Sequence, residues 1–179
     1  MFKSIKKMFT GDKAEQQPQQ QPQGFQPLWK PDHVFTDAEF KAIEIAHKPV
    51  FNQIAVSNAR GDTAIIQDEK AISPWVIGYM VGILDQVTQR IEGKQHAALE
   101  TMAFFVDYHF APELRPKVWG CYFAAQSMAG KPNEPFYPMY ESFIEGAQAG
   151  YECFPNQEHG APKLALYWAL NNGGYSPAE

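Results

Sequence analysis

The chain has 179 residues, of which 45% are hydrophobic, and a formal net charge of −5. That length suffices for one hydrophobic core and a tail, but hardly for two independent domains. Lys3, Lys6 and Lys7 place three positive charges in the first nine residues, which leaves −8 on the other 170. Non-specific affinity for nucleic acid comes largely from lysine and arginine neutralising phosphates, so this acidic body argues against nucleic acid as a partner.

The first nine residues, MFKSIKKMF, separate into two faces when they are placed on a helix. Five large apolar side chains fall within an arc of about 120°, and the three lysines lie opposite. This arrangement is typical of helices that lie reversibly on an anionic membrane surface. Two alternatives stay open: the helix docks on a partner protein or on the body itself, or it is a basic tail without a role. The predicted membrane-binding residues are Phe2, Lys3, Ile5, Lys6, Lys7, Met8 and Phe9.

A stretch rich in glutamine and proline follows. EQQPQQQPQG contains no apolar residue, and its prolines oppose helix formation, so we expect a disordered linker with a reach on the order of 25 Å. A tether suits a segment that binds something better than a segment packed into its own core. The predicted organisation is an amphipathic basic segment (1–9), a disordered linker (10–27) and an all-α domain (28–179).

Two helix starts in the domain carry clear signals. In TDAEF, Thr36 is a good N-cap and Glu39 completes a capping box, which predicts a helix to about Ser57. In SPW, Ser73 is the N-cap and Pro74 occupies the first helical position. This second helix is expected to run to about residue 92 and to be buried on most sides over its first three turns.

Four further helices are predicted, over about 95–109, 114–130, 137–153 and 161–170. The inner side of the first of these is expected to carry Leu99, Met102, Phe105 and Val106. TAIIQ, at 63–67, is the only strand candidate. The sequence therefore predicts an all-α fold, a single irregular or orthogonal bundle of about six helices.

Small residues recur every fourth position in two of the predicted helices. Gly78 and Gly82 lie in GYMVG, and Gly146 and Gly150 lie in EGAQAG. Neither stretch follows a strand, so close helix packing is a better interpretation than a phosphate-binding loop. The spacing of Gly78 and Gly82 also recurs as Ser142 and Gly146, an echo that would fit a duplicated helix pair.

Catalytic and metal-binding patterns are weak. Cys121 lies in the aromatic stretch WGCYF, where burial would raise the pKa of its thiol and leave it inert. The third helix would bring His96, Glu100 and Asp107 to one face, which suits an acid–base pair or, equally, a solvated face. We therefore expect no enzyme activity, no metal and no cofactor. The spacing matches no known zinc site among the four candidate ligands, which are His109, Cys121, Cys153 and His159.

Aromatic residues are concentrated in PNEPFYPMYESF, which has three prolines within seven residues. A rigid proline-rich corner that carries aromatics is a plausible protein-contact surface, and its predicted residues are Phe136, Tyr137 and Tyr140. The alternative is that Phe136 and Tyr140 close the end of the bundle.

Between residues 77 and 125, the order GYMVGILD, FFVDYHFAPELRP and WGCYFAA resembles the small helical immunity proteins of the Rap1a/Tai type. The matching positions are Gly78, Tyr79, Gly82, Pro112 and Glu113. The resemblance implies an inhibitor that binds a toxin, although that family is exported and disulfide-bonded.

The chain itself indicates neither export nor spanning of a membrane. GDKAEQQ follows the basic start where a secretory signal would need an apolar stretch. The two cysteines are far apart in sequence, which is compatible with a reducing cytosol. The most apolar internal run has nine residues, against the ~20 that a membrane-spanning helix needs. Our leading expectation is a cytoplasmic bacterial adaptor, peripheral at the inner membrane face, with a protein partner of unknown identity. The immunity-type inhibitor is the alternative, and an enzyme with an unrecognised site is the third.

Overall fold

The computed structural model describes residues 32–58, 64–153 and 164–173. Within these ranges the regular structure consists of six α-helices and two 3₁₀ turns, which confirms the predicted all-α bundle of about six helices. No helix of these ranges is long and apolar enough to cross a bilayer. The helices are α1 (Asp37–Ser57), α2 (Pro74–Glu92), α3 (Leu99–His109), α4 (Arg115–Ser127), α5 (Tyr137–Tyr151) and α6 (Ala165–Asn171), and the turns are Glu69–Ala71 and Pro112–Leu114.

The capping box predicted at the start of α1 is present. The Thr36 hydroxyl accepts a hydrogen bond from the backbone N–H of Glu39 at 3.2 Å, and the Glu39 carboxylate accepts one from the Thr36 N–H at 2.8 Å. The hydrogen bond from the Thr36 backbone holds the pKa of Glu39 below its usual value. The second Glu39 oxygen accepts from the Thr101 hydroxyl at 3.0 Å, so the cap also ties α1 to α3.

Helix α2 is the centre of the bundle and contacts all five other helices. Its predicted bounds are confirmed: the Ser73 hydroxyl accepts from the Val76 N–H at 3.1 Å, and Gly93 ends the helix in the left-handed conformation with φ of 70°. Every residue from Trp75 to Leu84 is buried, as predicted. The first three turns of α2 are apolar on all sides because they are surrounded by other helices.

Helix α3 begins at Leu99, four residues later than predicted. The cause is Asp85 on α2, whose Oδ1 accepts from the backbone N–H of Ala97 at 2.9 Å and holds the preceding chain outside the helix. Ala98 is accordingly extended, with ψ of 150°. Three of the four predicted inner residues of this helix are buried, but Leu99 is 51% exposed because it occupies the first helical position.

The strand candidate at 63–67 does not form a strand in the part of the chain that the structure describes. Ile66 forms a single parallel bridge to Phe110, in which the Ile66 N–H donates to the His109 carbonyl at 2.8 Å and the Ala111 N–H donates to the Ile66 carbonyl at 3.0 Å. One bridge is too short to make a strand pair. Thr63 lies outside the described residues.

Two helices end slightly earlier than predicted. Helix α4 ends at Ser127 because a turn follows, in which Gly130 is left-handed with φ of 72°. Helix α5 ends at Tyr151, and α6 begins at Ala165. The predicted start of the sixth helix, at 161–162, lies outside the described residues.

The glycines of α2 and α5 allow the two helix backbones to touch. At each of four glycines a Cβ atom would lie about 2 Å from a carbonyl oxygen of the other helix, where no side chain fits. The predicted close packing is therefore confirmed. The distances from an added Cβ are 2.1 Å from Gly78 to Phe143 O, 1.9 Å from Gly82 to Ala147 O, 2.0 Å from Gly146 to Trp75 O and 2.0 Å from Gly150 to Tyr79 O.

The same contacts show that α2 and α5 run parallel, because residue numbers rise together on both helices. Gly78 lies against Phe143, three residues before Gly146, and Gly146 lies against Trp75, three residues before Gly78. Gly78 is therefore the counterpart of Gly146, and the same offset makes Gly82 the counterpart of Gly150. This register is shifted by one helical turn from the sequence echo, which aligned Gly82 with Gly146. The crossing fixes α5 on α2 through backbone atoms, which leaves the other side of α5 facing outward.

A buried amide connects three helices. The Gln53 side chain of α1 donates to the Tyr79 hydroxyl of α2 at 2.9 Å, and its Oε1 accepts from the backbone N–H groups of Leu166 at 2.9 Å and Tyr167 at 3.2 Å. Helix α6 has no side-chain cap from its own preceding residue, so Gln53 supplies one from across the core. The Tyr79 hydroxyl in turn donates to the Cys153 sulfur at 3.0 Å.

Candidate interaction surface

The three predicted protein-contact residues lie at the start of α5. Phe136 precedes the helix and is 68% exposed, so it does not close the end of the bundle. Tyr137 and Tyr140 are half-buried, with ring centroids 5.9 Å apart. The structure brings these rings together on the outer side of α5. The predicted membrane-binding residues, all within 1–9, lie outside the described residues.

The outer side of α5 continues the aromatic start with aliphatic and acidic side chains. Ile144 and Tyr151 follow at helical spacing, and each is 42% exposed. Glu141 and Glu145 flank Ile144 and are exposed. We call this surface the α5 face, and it consists of Tyr137, Tyr140, Glu141, Ile144, Glu145 and Tyr151.

Two grooves meet at Ile144. The first has a volume of 330 Å³ and is lined by the first five residues of the α5 face. The second has a volume of 440 Å³ and lies where the outer side of α5 meets the end of α2 and the loop that follows. The two grooves share Ile144 as a lining residue. The second groove is lined by Gly82, Asp85, Gln89, Gln95, His96, Ile144, Ala147, Gln148, Tyr151 and Glu152.

Hydrogen bonds fix the walls of the second groove. Asp85 contacts His96 Nδ1 at 2.8 Å through Oδ2 and accepts from the Ala97 N–H through Oδ1. Across the groove, the Tyr151 hydroxyl donates to the side chain of Gln89, which joins α5 to α2. The side chains that line this groove are therefore held in place by hydrogen bonds between α2, α5 and the loop after α2.

The charge of this surface has one sign. Four carboxylates line the two grooves, and no lysine or arginine is among the lining residues that the structure describes. Grooves with apolar walls and one sign of charge concentrate ligands of the opposite charge. The lining carboxylates are Asp85, Glu141, Glu145 and Glu152.

The acid–base group predicted on the third helix is not assembled. His96 precedes α3 and pairs with Asp85, whereas Asp107 is buried and accepts from the Trp119 indole N–H at 2.8 Å. Arg115 Nε also donates to the Asp107 carbonyl at 3.1 Å. The expectation that these residues share one outer face is therefore wrong, because Asp107 joins α3 to α4 in the core.

A pair of histidines, of which the sequence analysis named only His109, lies between α1 and α3. The Phe105 carbonyl can only accept, so His109 Nδ1, at 2.8 Å, carries a proton, and His109 Nε2 accepts from His47 Nδ1 at 3.1 Å. With one proton on Nδ1 and Nε2 as the acceptor, the His109 ring is neutral. Burial lowers the pKa of His109 to about 3, and burial also lowers the pKa of His47.

This buried histidine makes the stability of the protein depend on pH. In the unfolded chain this histidine has a pKa near 6.5, whereas in the folded protein its pKa is about 3. As the pH falls below 6.5, the unfolded chain therefore binds a proton that the folded protein does not bind, and the unfolded state is stabilised. We expect the free energy of unfolding to fall by about 2 kcal/mol between pH 7 and pH 5 from this residue alone. Urea denaturation at both pH values measures the loss. The variant His109→Gln should show a smaller loss. An undiminished loss in His109→Gln would show that this residue is not its source.

The two thiols are also held in unreactive states. Burial raises the pKa of Cys121 to about 11 and raises the pKa of Cys153 as well. No three histidine, cysteine, aspartate or glutamate side chains come together as a metal site within the described ranges. His159, one of the four candidate zinc ligands, lies outside them.

The periodicity of α5 carried more information than the sequence analysis used. Phe143, Gly146 and Gly150 are buried on the side towards α2, so positions 141, 144 and 145, on the opposite side of the helix, face outward. Ile144, Glu141 and Glu145 could have been assigned to the contact surface on that basis. Asp85 and His96 could not, because their place depends on the turn between α2 and α3.

Comparisons with known proteins add no assignment: no protein-family model, curated protein or solved structure matches the chain.

Proposed function

We propose that the protein is a non-enzymatic interaction module that is held reversibly at an anionic membrane surface by residues 1–9 and that binds a protein partner through the α5 face. The observation that carries the proposal is the α5 face itself, a partly exposed stripe of three tyrosines, an isoleucine and two glutamates on a helix that packs closely against α2. Exposed aromatic and aliphatic residues beside grooves are typical of binding surfaces. The amphipathic pattern of MFKSIKKMF supports the membrane part.

The buried polar groups of the described core support a binding module over an enzyme. Gln53, Tyr79 and Cys153 hold helices together, and Asp107 does the same for α3 and α4. His109 is fully buried. These groups stabilise the fold, and none of them lines the two grooves.

Co-sedimentation with anionic vesicles tests the membrane part. Each lysine near an anionic surface contributes about 1 kcal/mol, so the triple variant Lys3→Glu, Lys6→Glu and Lys7→Glu should bind vesicles about 100-fold more weakly than the intact chain, or worse. Binding by the intact chain should also weaken at high salt.

A matched control separates the segment from net charge. Lys41, Lys48 and Lys70 are exposed on the body, and their triple change to glutamate alters the charge equally. This control should retain most of the vesicle binding. If both triple variants lose binding to the same extent, or if the intact chain stays in the supernatant, the membrane part of the proposal is wrong.

An immunity-type inhibitor is the second candidate, and one observation favours it. The chain has the order that the resemblance implies: the Gly-Tyr-x-x-Gly helix α2, then α3, a turn at Pro112–Leu114 that contains Glu113, and α4. Gly78, Tyr79 and Gly82 are buried, so a toxin would have to bind elsewhere, and the α5 face is available. An inhibitor would still neutralise its toxin after residues 1–9 are removed, whereas a membrane-held adaptor would lose its location.

A further inference from the structure

We infer that the α5 face binds residues 1–9 of its own chain, so that the same amphipathic segment has two alternative docking sites, the groove and the membrane. This inference rests on the amphipathic segment of the proposed function and adds an intramolecular site for it. Three features support the assignment: the opposite charges of groove and segment, their matching apolar spacing, and the length of the connecting chain.

The charges of the groove and the segment are opposite. Lys3, Lys6 and Lys7 lie in the segment, and the grooves contain four carboxylates without a lysine or arginine among their described lining residues. Glu141 and Glu145 form no hydrogen bond or ion pair with any described residue. Their charges are therefore available to an incoming cation.

The apolar patterns of the two surfaces also match. Tyr137, Tyr140 and Ile144 recur at helical spacing along the α5 face, and their line is bordered by glutamates. On a helix the segment would present Phe2, Ile5 and the pair at 8–9 with the same spacing, and lysines would border them. This is the pattern of an amphipathic helix laid into a groove, with anchors at i, i+3 and i+7.

The connecting chain is long enough. Residues 10–31 separate the segment from Asp32, and 22 residues can extend to about 70 Å at most. A folded body of roughly 150 residues is about 40 Å across, so any surface point can be reached. A tether of this length also keeps the segment at a high effective concentration, on the order of millimolar, near its own body. A weak intrinsic affinity is then sufficient for docking.

Docking in the groove and binding to a membrane use the same side chains. The apolar residues that would enter the lipid are those that would contact Tyr137, Tyr140 and Ile144, so one segment cannot do both at once. An anionic membrane would therefore release the α5 face by removing the segment from it. A partner should therefore bind the groove more tightly when the protein is at the membrane.

Site-specific photocrosslinking of the full-length chain tests the inference. Ser4 lies at the border between the apolar and basic sides of the segment, so p-benzoylphenylalanine at this position removes neither an anchor nor a charge. In the absence of vesicles we expect crosslinks to residues of α5 or to the groove wall near Asp85 and Gln89, identified by mass spectrometry. Equal mixing of isotopically heavy and light chains distinguishes crosslinks within a chain from those between chains.

Charge reversal supplies the matched variants. Glu141→Lys with Glu145→Lys should reduce the crosslink yield about tenfold, and the lysine-to-glutamate triple variant of the segment should restore it in that background. The control is Glu44→Lys with Glu113→Lys, two exposed carboxylates outside the grooves, which should leave the yield unchanged.

Four outcomes would overturn the inference: crosslinks that map elsewhere on the body, crosslinks that join light to heavy chains, equal effects of the two glutamate pairs, or no restoration by the reciprocal charges. None of them bears on vesicle co-sedimentation, so the membrane part of the proposed function is judged separately.

Discussion

Replacing Gly82 by alanine is expected to destabilise the protein by about 3 kcal/mol or to prevent folding. The added Cβ would lie 1.9 Å from the Ala147 carbonyl oxygen and 2.7 Å from its carbon, and backbone atoms in the middle of a helix cannot move aside alone. The whole of α5 would have to move away from α2. Because α5 carries the interaction surface, the α5 face would be displaced at the same time.

A second glycine provides the control for this prediction. Gly120 lies within α4, and an added Cβ there would meet no atom within 4 Å. Gly120→Ala should therefore stabilise the protein by about 0.5–1 kcal/mol through the higher helix propensity of alanine. Urea denaturation of both variants measures the difference. Similar stabilities for Gly82→Ala and Gly120→Ala would contradict the close contact between α2 and α5.

Replacing Gln53 by leucine is expected to cost about 3 kcal/mol. The substitution leaves the backbone N–H groups of Leu166 and Tyr167 without their acceptor and removes the donor to the Tyr79 hydroxyl. An unsatisfied buried polar group costs roughly 1–3 kcal/mol, and the Gln53 side chain serves several at once. Helix α6 has seven residues and no side-chain cap from its own preceding residue, so it should be the first element to open.

The neighbouring residue of the same helix is the control for this second prediction. Asn52 is exposed, and Asn52→Leu should change the free energy of unfolding by no more than about 0.5 kcal/mol. Hydrogen exchange of the α6 amides, combined with thermal unfolding, measures both effects. If Gln53→Leu leaves α6 as protected as in the parent chain, Gln53 does not cap this helix.

Local sequence signals predicted those parts of the fold that depend on neighbouring residues. The capping box of Thr36 and Glu39 and the start of α2 at Ser73 and Pro74 involve residues no more than three positions apart. The glycine spacing of α2 and α5 predicted the close crossing because a helix brings every fourth residue to one side. The partner of each glycine did not follow from the spacing, since the register depends on how the intervening helices fold back.

The errors share a different cause, which is hydrogen bonding between residues distant in sequence. Helix α3 begins late because Asp85 bonds to Ala97, and Asp107 is buried because Trp119 lies beside it in the folded chain. The bond from Gln53 to the start of α6 joins residues 113 positions apart. No periodicity in the sequence reports such contacts.

The candidate surface was predicted in part. The aromatic start of α5 at Tyr137 and Tyr140 was identified from its proline-rich setting, and its continuation through Ile144 needed only the helical period of the following residues. The groove beside Asp85 depends on three elements meeting, which composition and spacing do not encode. The membrane-binding role of residues 1–9 was inferred from their amphipathic pattern, and it stays a prediction.

The most direct test of the two-site account is the crosslink from position 4 to the α5 face, measured while anionic vesicles are added to the full-length chain. The account predicts that the crosslink disappears in proportion to the fraction of protein that sediments with the vesicles, and that neutral vesicles leave it unchanged. A crosslink that persists on vesicle-bound protein would contradict it, because the segment would then occupy the groove and the membrane together.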